Sequence, residues 1–127
     1  MPKYDAGKFD PPAPVAHVTL RNPAAGATVS NVPMVIDTGA DVTLVPRNSV
    51  DRLGIDDVED EAYEVQGFDG ESKLAYMVQL EMVFPGRKYK GQFLLIDQPR
   101  GIRGRNILNT IPILFNGPAG KWDEIKP

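Results

Sequence analysis

The chain has 127 residues, 42% hydrophobic, with 12 glycines, 12 prolines and a net charge of −3, which bounds one domain with a real core and favours a turn-rich β fold over a helical bundle. The absence of cysteine and the single histidine, His17, exclude a disulfide framework, thiolate chemistry and Cys-based zinc, and argue against a His-based metal site or any cofactor. The acidic balance argues against nonspecific nucleic-acid binding, and the sequence has no apolar run of membrane length and no charged-then-apolar leader, so the expectation is a soluble, cytoplasmic protein.

Residues 1–14 include Pro2, Pro11, Pro12 and Pro14 and little periodic apolar content, which predicts a flexible N-terminal arm ahead of one domain over 15–127. Residues 15–21 read as a first strand, and 22–31 as a Gly/Ala/Asn loop. Residues 32–36 form a strand leading into Asp37, and 42–45 a strand leaving it. Residues 47–53 predict a short helix stopped at Gly54. Residues 56–61 are a run of acids, read as a solvated loop. Residues 63–67 and 72–76 flank Phe68-Asp69-Gly70-Glu71, and Asp-Gly between two strand-like runs signals a hairpin. A long strand over 77–84 turns at Pro85-Gly86 and returns over 89–96. Arg87, Lys88 and Lys90 make a basic tip, read as a solvated hairpin end. Residues 105–111 have helical character cut by Pro112, 113–115 form a short apolar strand, and Trp122 falls in a tail.

The chemistry concentrates at Met34-Val35-Ile36-Asp37-Thr38-Gly39-Ala40-Asp41-Val42-Thr43-Leu44-Val45. A carboxylate between two apolar strands has to be explained, because burying an unpaired charge is costly. Two carboxylates sharing one proton can hydrolyse a peptide bond. One acts as base on a water molecule, and the other polarises the carbonyl and later protonates the leaving nitrogen. Gly39 lets backbone and substrate approach closely. The Thr38 hydroxyl both donates and accepts. The chain has one Asp-Thr-Gly; Asp97 ends the apolar run Phe93-Leu94-Leu95-Ile96, but Gln98-Pro99 follows it. A carboxylate pair therefore requires a homodimer, with Asp37 from each subunit near a two-fold axis.

Three features together resemble the retropepsins, the retroviral-type aspartic proteases: the Asp37-Thr38-Gly39-Ala40 loop with its apolar flanks, the glycine-containing hairpin Val65-Gln66-Gly67-Phe68-Asp69-Gly70, and Ile102-Arg103-Gly104-Arg105-Asn106-Ile107-Leu108. The resemblance spans roughly 15–115. It implies an all-β, closed-barrel homodimer with a flap hairpin and one short C-terminal helix. It also implies an aspartic endopeptidase acting on peptide or protein substrates. Asp37 would be the catalytic carboxylate, Thr38 the grip between the two loops, and Gly39 a carbonyl offered to the substrate backbone. Ala40, Asp41, Val65, Gly67, Phe68, Asp69 and Gly70 would contact substrate, and Arg105 would pair with Asp41. Val42, Val65, Phe68 and Ile102 would line an apolar cleft. Many acid-adapted aspartic proteases carry a hydroxyl at the position of Ala40, so a working pH nearer neutral is expected. The sequence departs from the retroviral pattern in a sparser glycine content around the hairpin and in both chain ends. The alternative is a catalytically silent, dimeric peptide-binding module of the same fold.

Overall fold

Alternation of apolar and polar residues sets the first long strands, and their inward faces begin a closed barrel. The structure, a computed structural model, describes residues 2–55, 62–66, 72–84 and 87–125. Among these residues ten strands and two short helices run in the order β1 (Tyr4–Asp5), β2 (Ala13–Arg21), β3 (Thr28–Ile36), β4 (Leu44–Pro46), α1 (Arg47–Arg52), β5 (Ala62–Gln66), β6 (Ser72–Phe84), β7 (Arg87–Ile96), β8 (Gly101–Arg103), α2 (Arg105–Leu108), β9 (Ile113–Asn116) and β10 (Lys121–Glu124). Six of them close a ring, β2–β3–β8–β4–β7–β6, because β6 also pairs with β2 through Leu20↔Met82. Closure removes the free edges that an open sheet would leave. No helix of the described residues is long and apolar enough to cross a membrane.

The barrel interior is filled by Val18, Leu20, Met34, Val45, Leu80 and Met82, among others, all buried. Strand β4 and the end of β7, residues 93–96, are apolar on both faces. Val45, Phe93 and Leu95 join the interior, whereas Leu44 and Leu94 point outward into a second cluster. Period-two alternation produces this division. It explains why 42–45 and 93–96 read as unbroken apolar runs.

Several expectations are corrected. The loop expected over 22–31 is shorter, because β3 already starts at Thr28. A register shift opposite Val18 and Leu20, with Asn31 at φ 59°, absorbs the polar residues as a bulge. Asn22 closes the remaining loop. Its Oδ1 accepts the Ala24 N–H at 3.0 Å, and its Nδ2 donates to the Leu53 carbonyl at 3.2 Å. The helix over 47–53 forms as α1, and Gly54 adopts φ +67° just beyond it. The short C-terminal helix forms as α2, and with α1 makes two short helices among the described residues.

The N-terminal segment is not an arm free of the domain. Tyr4 and Asp5 pair with Pro14 and Ala13 of β2, and the Tyr4 N–H donates to the Gly120 carbonyl at 2.7 Å. The tail around Trp122 is β10, paired with β9. Trp122 is 1% exposed, and its Nε1 donates to the Val15 carbonyl at 3.3 Å. Truncating a buried aromatic costs about 3–5 kcal/mol, so the C-terminal strand is part of the core.

The basic tip is solvated and also paired. Arg87 donates from Nε to Glu124 at 2.6 Å. Glu81, buried on β6, takes Arg21 at 2.9 Å, Lys90 at 3.6 Å and Lys88 at 3.9 Å. The Arg21 hydrogen bond, helped by the two lysines and opposed by burial, holds the Glu81 carboxyl below its ordinary range. A depressed folded value contributes stability above the unfolded value, and that contribution is lost as pH falls through the folded one. Glu81→Gln is therefore expected to lower the melting temperature at neutral pH. Thermal melts of both proteins should converge as the pH is taken down through the carboxylate range.

Candidate active site

Strand β8 lies between β3 and β4. It runs parallel to β3 (Val35↔Ile102, Ile36↔Arg103) and meets β4 antiparallel at Leu44↔Ile102. The chain leaves β3, turns through residues 37–43, and returns as β4 on the other side of β8. The Asp37 turn therefore straddles the segment that follows β8.

That segment fixes the turn through backbone contacts. The Asp37 N–H donates to the Arg103 carbonyl at 3.1 Å, and the Arg105 N–H donates to the Ala40 carbonyl at 2.8 Å. Within the turn, the Gly39 N–H donates to Asp37 Oδ1 at 2.9 Å and the Ala40 N–H to the Asp37 carbonyl at 3.2 Å. One carboxylate oxygen is thus oriented by the chain itself. The other takes no hydrogen bond from the described residues.

Gly104 is required for this approach. A Cβ there would run into the Val42 carbonyl and lie 3.0 Å from the Ala40 carbonyl oxygen. The buried Thr43 completes the lock. Its hydroxyl accepts the Gly104 N–H at 3.1 Å and donates to Asn106 Oδ1 at 2.7 Å. Thr43 was not singled out from the sequence. The available signal was a hydroxyl inside the apolar run Val42-Thr43-Leu44.

The expected ion pair of Asp41 with Arg105 is absent among the described residues. Arg105 donates instead from a terminal guanidinium nitrogen to the Thr38 carbonyl at 2.8 Å, and Asp41 is exposed. With its backbone tied to Ala40, Arg105 reaches back across the turn. A carboxylate solvated as Asp41 is gains little from a surface pair. Arg105 thus acts on the loop through backbone oxygen rather than through Asp41.

Val42 and Ile102, expected to line an apolar cleft, do come together. With Met77 and Ile96 they pack as half-buried residues around Leu44 and Leu94 on the outer face of β4, β7 and β8. Leu44 and Leu94 were missed because each looked like an ordinary strand residue. Val65 lies in β5, which pairs with β6 as an antiparallel hairpin (Gln66↔Ser72). Gly67, Phe68, Asp69 and Gly70 lie outside the described residues.

Beneath the turn, Arg103 is fully buried with its guanidinium 5.7 Å from the centre of the Tyr89 ring. Burial pulls it below the ordinary arginine range, opposed by Tyr89 and by the Glu124 carboxylate. In the sequence Arg103 stands within the stretch Ile102 to Leu108, and nothing local marks it as a core residue. Among the described residues no three acidic or histidine side chains converge as a metal ion would require. A separate open cleft of about 380 Å³ between α1 and the Asp97–Pro99 turn contains no residue of the Asp37 loop.

Residues 18–108 match the family described as aspartyl protease, well over half of the chain. The chain belongs to the aspartyl protease family. Among solved structures, this family member is similar to the EIAV protease complexed with the inhibitor HBY-793. The two share 23% identity at a TM-score of 0.57, over 84% of this chain and 91% of that one. At this identity the likeness is one of fold, the retropepsin barrel. No curated protein matched the sequence.

Thr43→Val removes the acceptor of the buried Gly104 N–H while keeping side-chain shape. An unsatisfied buried donor costs about 1–3 kcal/mol. Urea unfolding is expected to report a loss of that size, with the fold retained by circular dichroism.

Proposed function

We propose that this aspartyl protease family member is a homodimeric endopeptidase in which Asp37 of each subunit meets its twin near a two-fold axis. The observation that carries this reading is the Asp37 turn itself. It is pinned by Arg103 and Arg105, one carboxylate oxygen is held by the Gly39 N–H, and the chain supplies a single such turn. One carboxylate cannot serve as acid and base in the same step, and a second copy supplies the partner.

In the proposed reaction, the two carboxyl groups share one proton. The ionised one takes a proton from a water held between them, and the water attacks the scissile carbonyl carbon. The protonated one donates to the carbonyl oxygen, and a proton then passes to the leaving nitrogen as the C–N bond breaks. Thr38 holds the two turns together across the axis. The substrate lies extended, pairing its backbone with the cleft as an added strand. The β5–β6 hairpin covers it from above, and closure excludes water. The apolar cluster around Leu44, Leu94 and Ile102 supports a preference for hydrophobic side chains beside the cut. We place the activity in the cytoplasm, with no cofactor.

The test is cleavage of a diverse peptide mixture by wild type and Asp37→Asn, read by mass spectrometry across protein concentration. The wild-type rate per subunit should rise as dimer forms. The variant should lose about 10³-fold or more, the scale of acid–base catalysis. A dimeric wild type that binds peptides and cuts none would make the protein a silent binding module.

Ala40 presents no hydroxyl to the neighbouring carboxylate. Activity is therefore expected nearer neutral pH than in an acid-compartment protease. Ala40→Ser should move the optimum downward, because an added donor favours the charged carboxylate. A wild-type pH–rate profile centred well below pH ~4, the ordinary carboxylate range, would contradict this.

A further inference from the structure

One face of β8 looks away from the barrel interior and onto the apolar cluster beside the Asp37 turn. A Cβ at Gly101 would run into the Met34 side chain, and the Arg103 side chain is fully buried, so both positions face inward. Ile102 between them packs outward against Leu44 and Leu94. Period-two alternation puts Arg100, the residue before the strand, on the same outward face as Ile102. Along that face the order is Arg100, Ile102 and then the turn, because Arg103 pairs with Ile36, from which the chain enters Asp37.

Arg100 is held there by the N-terminal segment. Its guanidinium lies over the Phe9 ring, 4.5 Å from the centroid, and both residues are half-buried. Phe9 sits in the connection between β1 and β2, which the pairs Tyr4↔Pro14 and Asp5↔Ala13 tie at its two ends. Asp5 orders the start of that connection. Its Oδ1 accepts the Gly7 N–H at 2.9 Å and the Lys8 N–H at 3.0 Å. The family match begins at residue 18, so this clamp comes from a part of the chain ahead of it.

A guanidinium set over an aromatic face is restrained by it and keeps N–H groups for a carboxylate, which it can hold through two parallel hydrogen bonds. Among the described residues no carboxylate pairs with Arg100 and no acceptor takes its N–H groups. Asp97, on the same loop, is held by Arg47 at 2.7 Å instead. The outer face of β8 thus offers an apolar contact at Ile102 and an oriented cation at Arg100.

We propose that Arg100, set by Phe9, receives an acidic side chain of the substrate, so that the preferred peptide carries a hydrophobic residue beside the cut and an Asp or Glu two residues farther from it. Alternate side chains of an extended peptide share a face and are about 6.6 Å apart. A peptide that sets an apolar side chain against Ile102 therefore brings the next one on that face to Arg100. This rests on the peptidase reading above and adds a charge requirement supplied by the N-terminal segment.

The test incubates the full-length Asp37→Asn protein with a diverse peptide mixture and identifies the retained peptides by mass spectrometry. They should be enriched in Asp and Glu two residues from a hydrophobic one. A labelled pair from that set, differing only in Glu against Gln at this position, is then compared by fluorescence anisotropy. The Glu peptide is expected to bind about 10-fold more tightly, the scale of a charge-assisted hydrogen bond. That ratio should fall towards one in Arg100→Gln and narrow in Phe9→Leu. Arg100→Glu should turn the preference to Lys at the same position, a reversal that a merely structural role for Arg100 would not give. Retained peptides without acidic enrichment overturn the proposal, and so does a Glu preference that survives Arg100→Gln. If the Arg100-dependent ratio is present while wild type cuts nothing, the acidic subsite stands and the proteolytic reading falls. If wild type cuts Glu and Gln peptides alike, the proteolytic reading stands and the acidic subsite falls. If no peptide is retained and none is cut, both fall.

Discussion

The placement of β8 between β3 and β4 is the constraint on which the rest depends. It brings the backbone of residues 103–105 against the Asp37 turn from below. Two backbone hydrogen bonds, Asp37 N–H to Arg103 and Arg105 N–H to Ala40, then hold both ends of that turn. Backbone groups cannot change rotamer, so a turn held this way is positioned more firmly than one held by side chains. The close approach is open only to glycine at 104, and it buries an N–H that Thr43 must accept. Glycine at 104 and threonine at 43 thus follow from one geometric requirement.

The same strand connects the turn to the far end of the chain. Arg103 carries its guanidinium into the interior beside Tyr89, where the Glu124 carboxylate on β10 favours its charged form. Glu124 in turn holds Arg87 of β7, whose guanidinium it drives above the ordinary arginine range. Opposite charges in a low-dielectric interior interact strongly, and removing one member leaves the other uncompensated. The C-terminal hairpin is therefore linked to β8 by electrostatics, and to the barrel core by the packing of Trp122.

Two-sided strands give the barrel its second surface. A barrel strand with one solvated face would read as alternation; β4 and β7 do not, because their outer face carries Leu44 and Leu94. Its proximity to Ile102 and Val42 places it next to the turn and not on the opposite wall, where Glu81 and its three cations sit.

The sequence alone determined the strands with clear periodicity, the Asp37-Thr38-Gly39 turn between two of them, and the α1 stop at Gly54. These are local patterns, and local backbone preference and apolar period decide them. Contacts distant in the chain were decided by tertiary structure. Asp41 and Arg105 look like partners in sequence, yet the geometry around β8 turns Arg105 toward the Thr38 carbonyl. Thr43 reads as an interruption of an apolar run, and only the arrival of Gly104 gives it a partner 61 residues away. The proline-rich start reads as an arm, because nothing local reveals that Tyr4 will pair with Gly120 and Trp122 with Pro2. Edge strands and chain ends get their partners from closure of the whole barrel, and no window of sequence contains that closure.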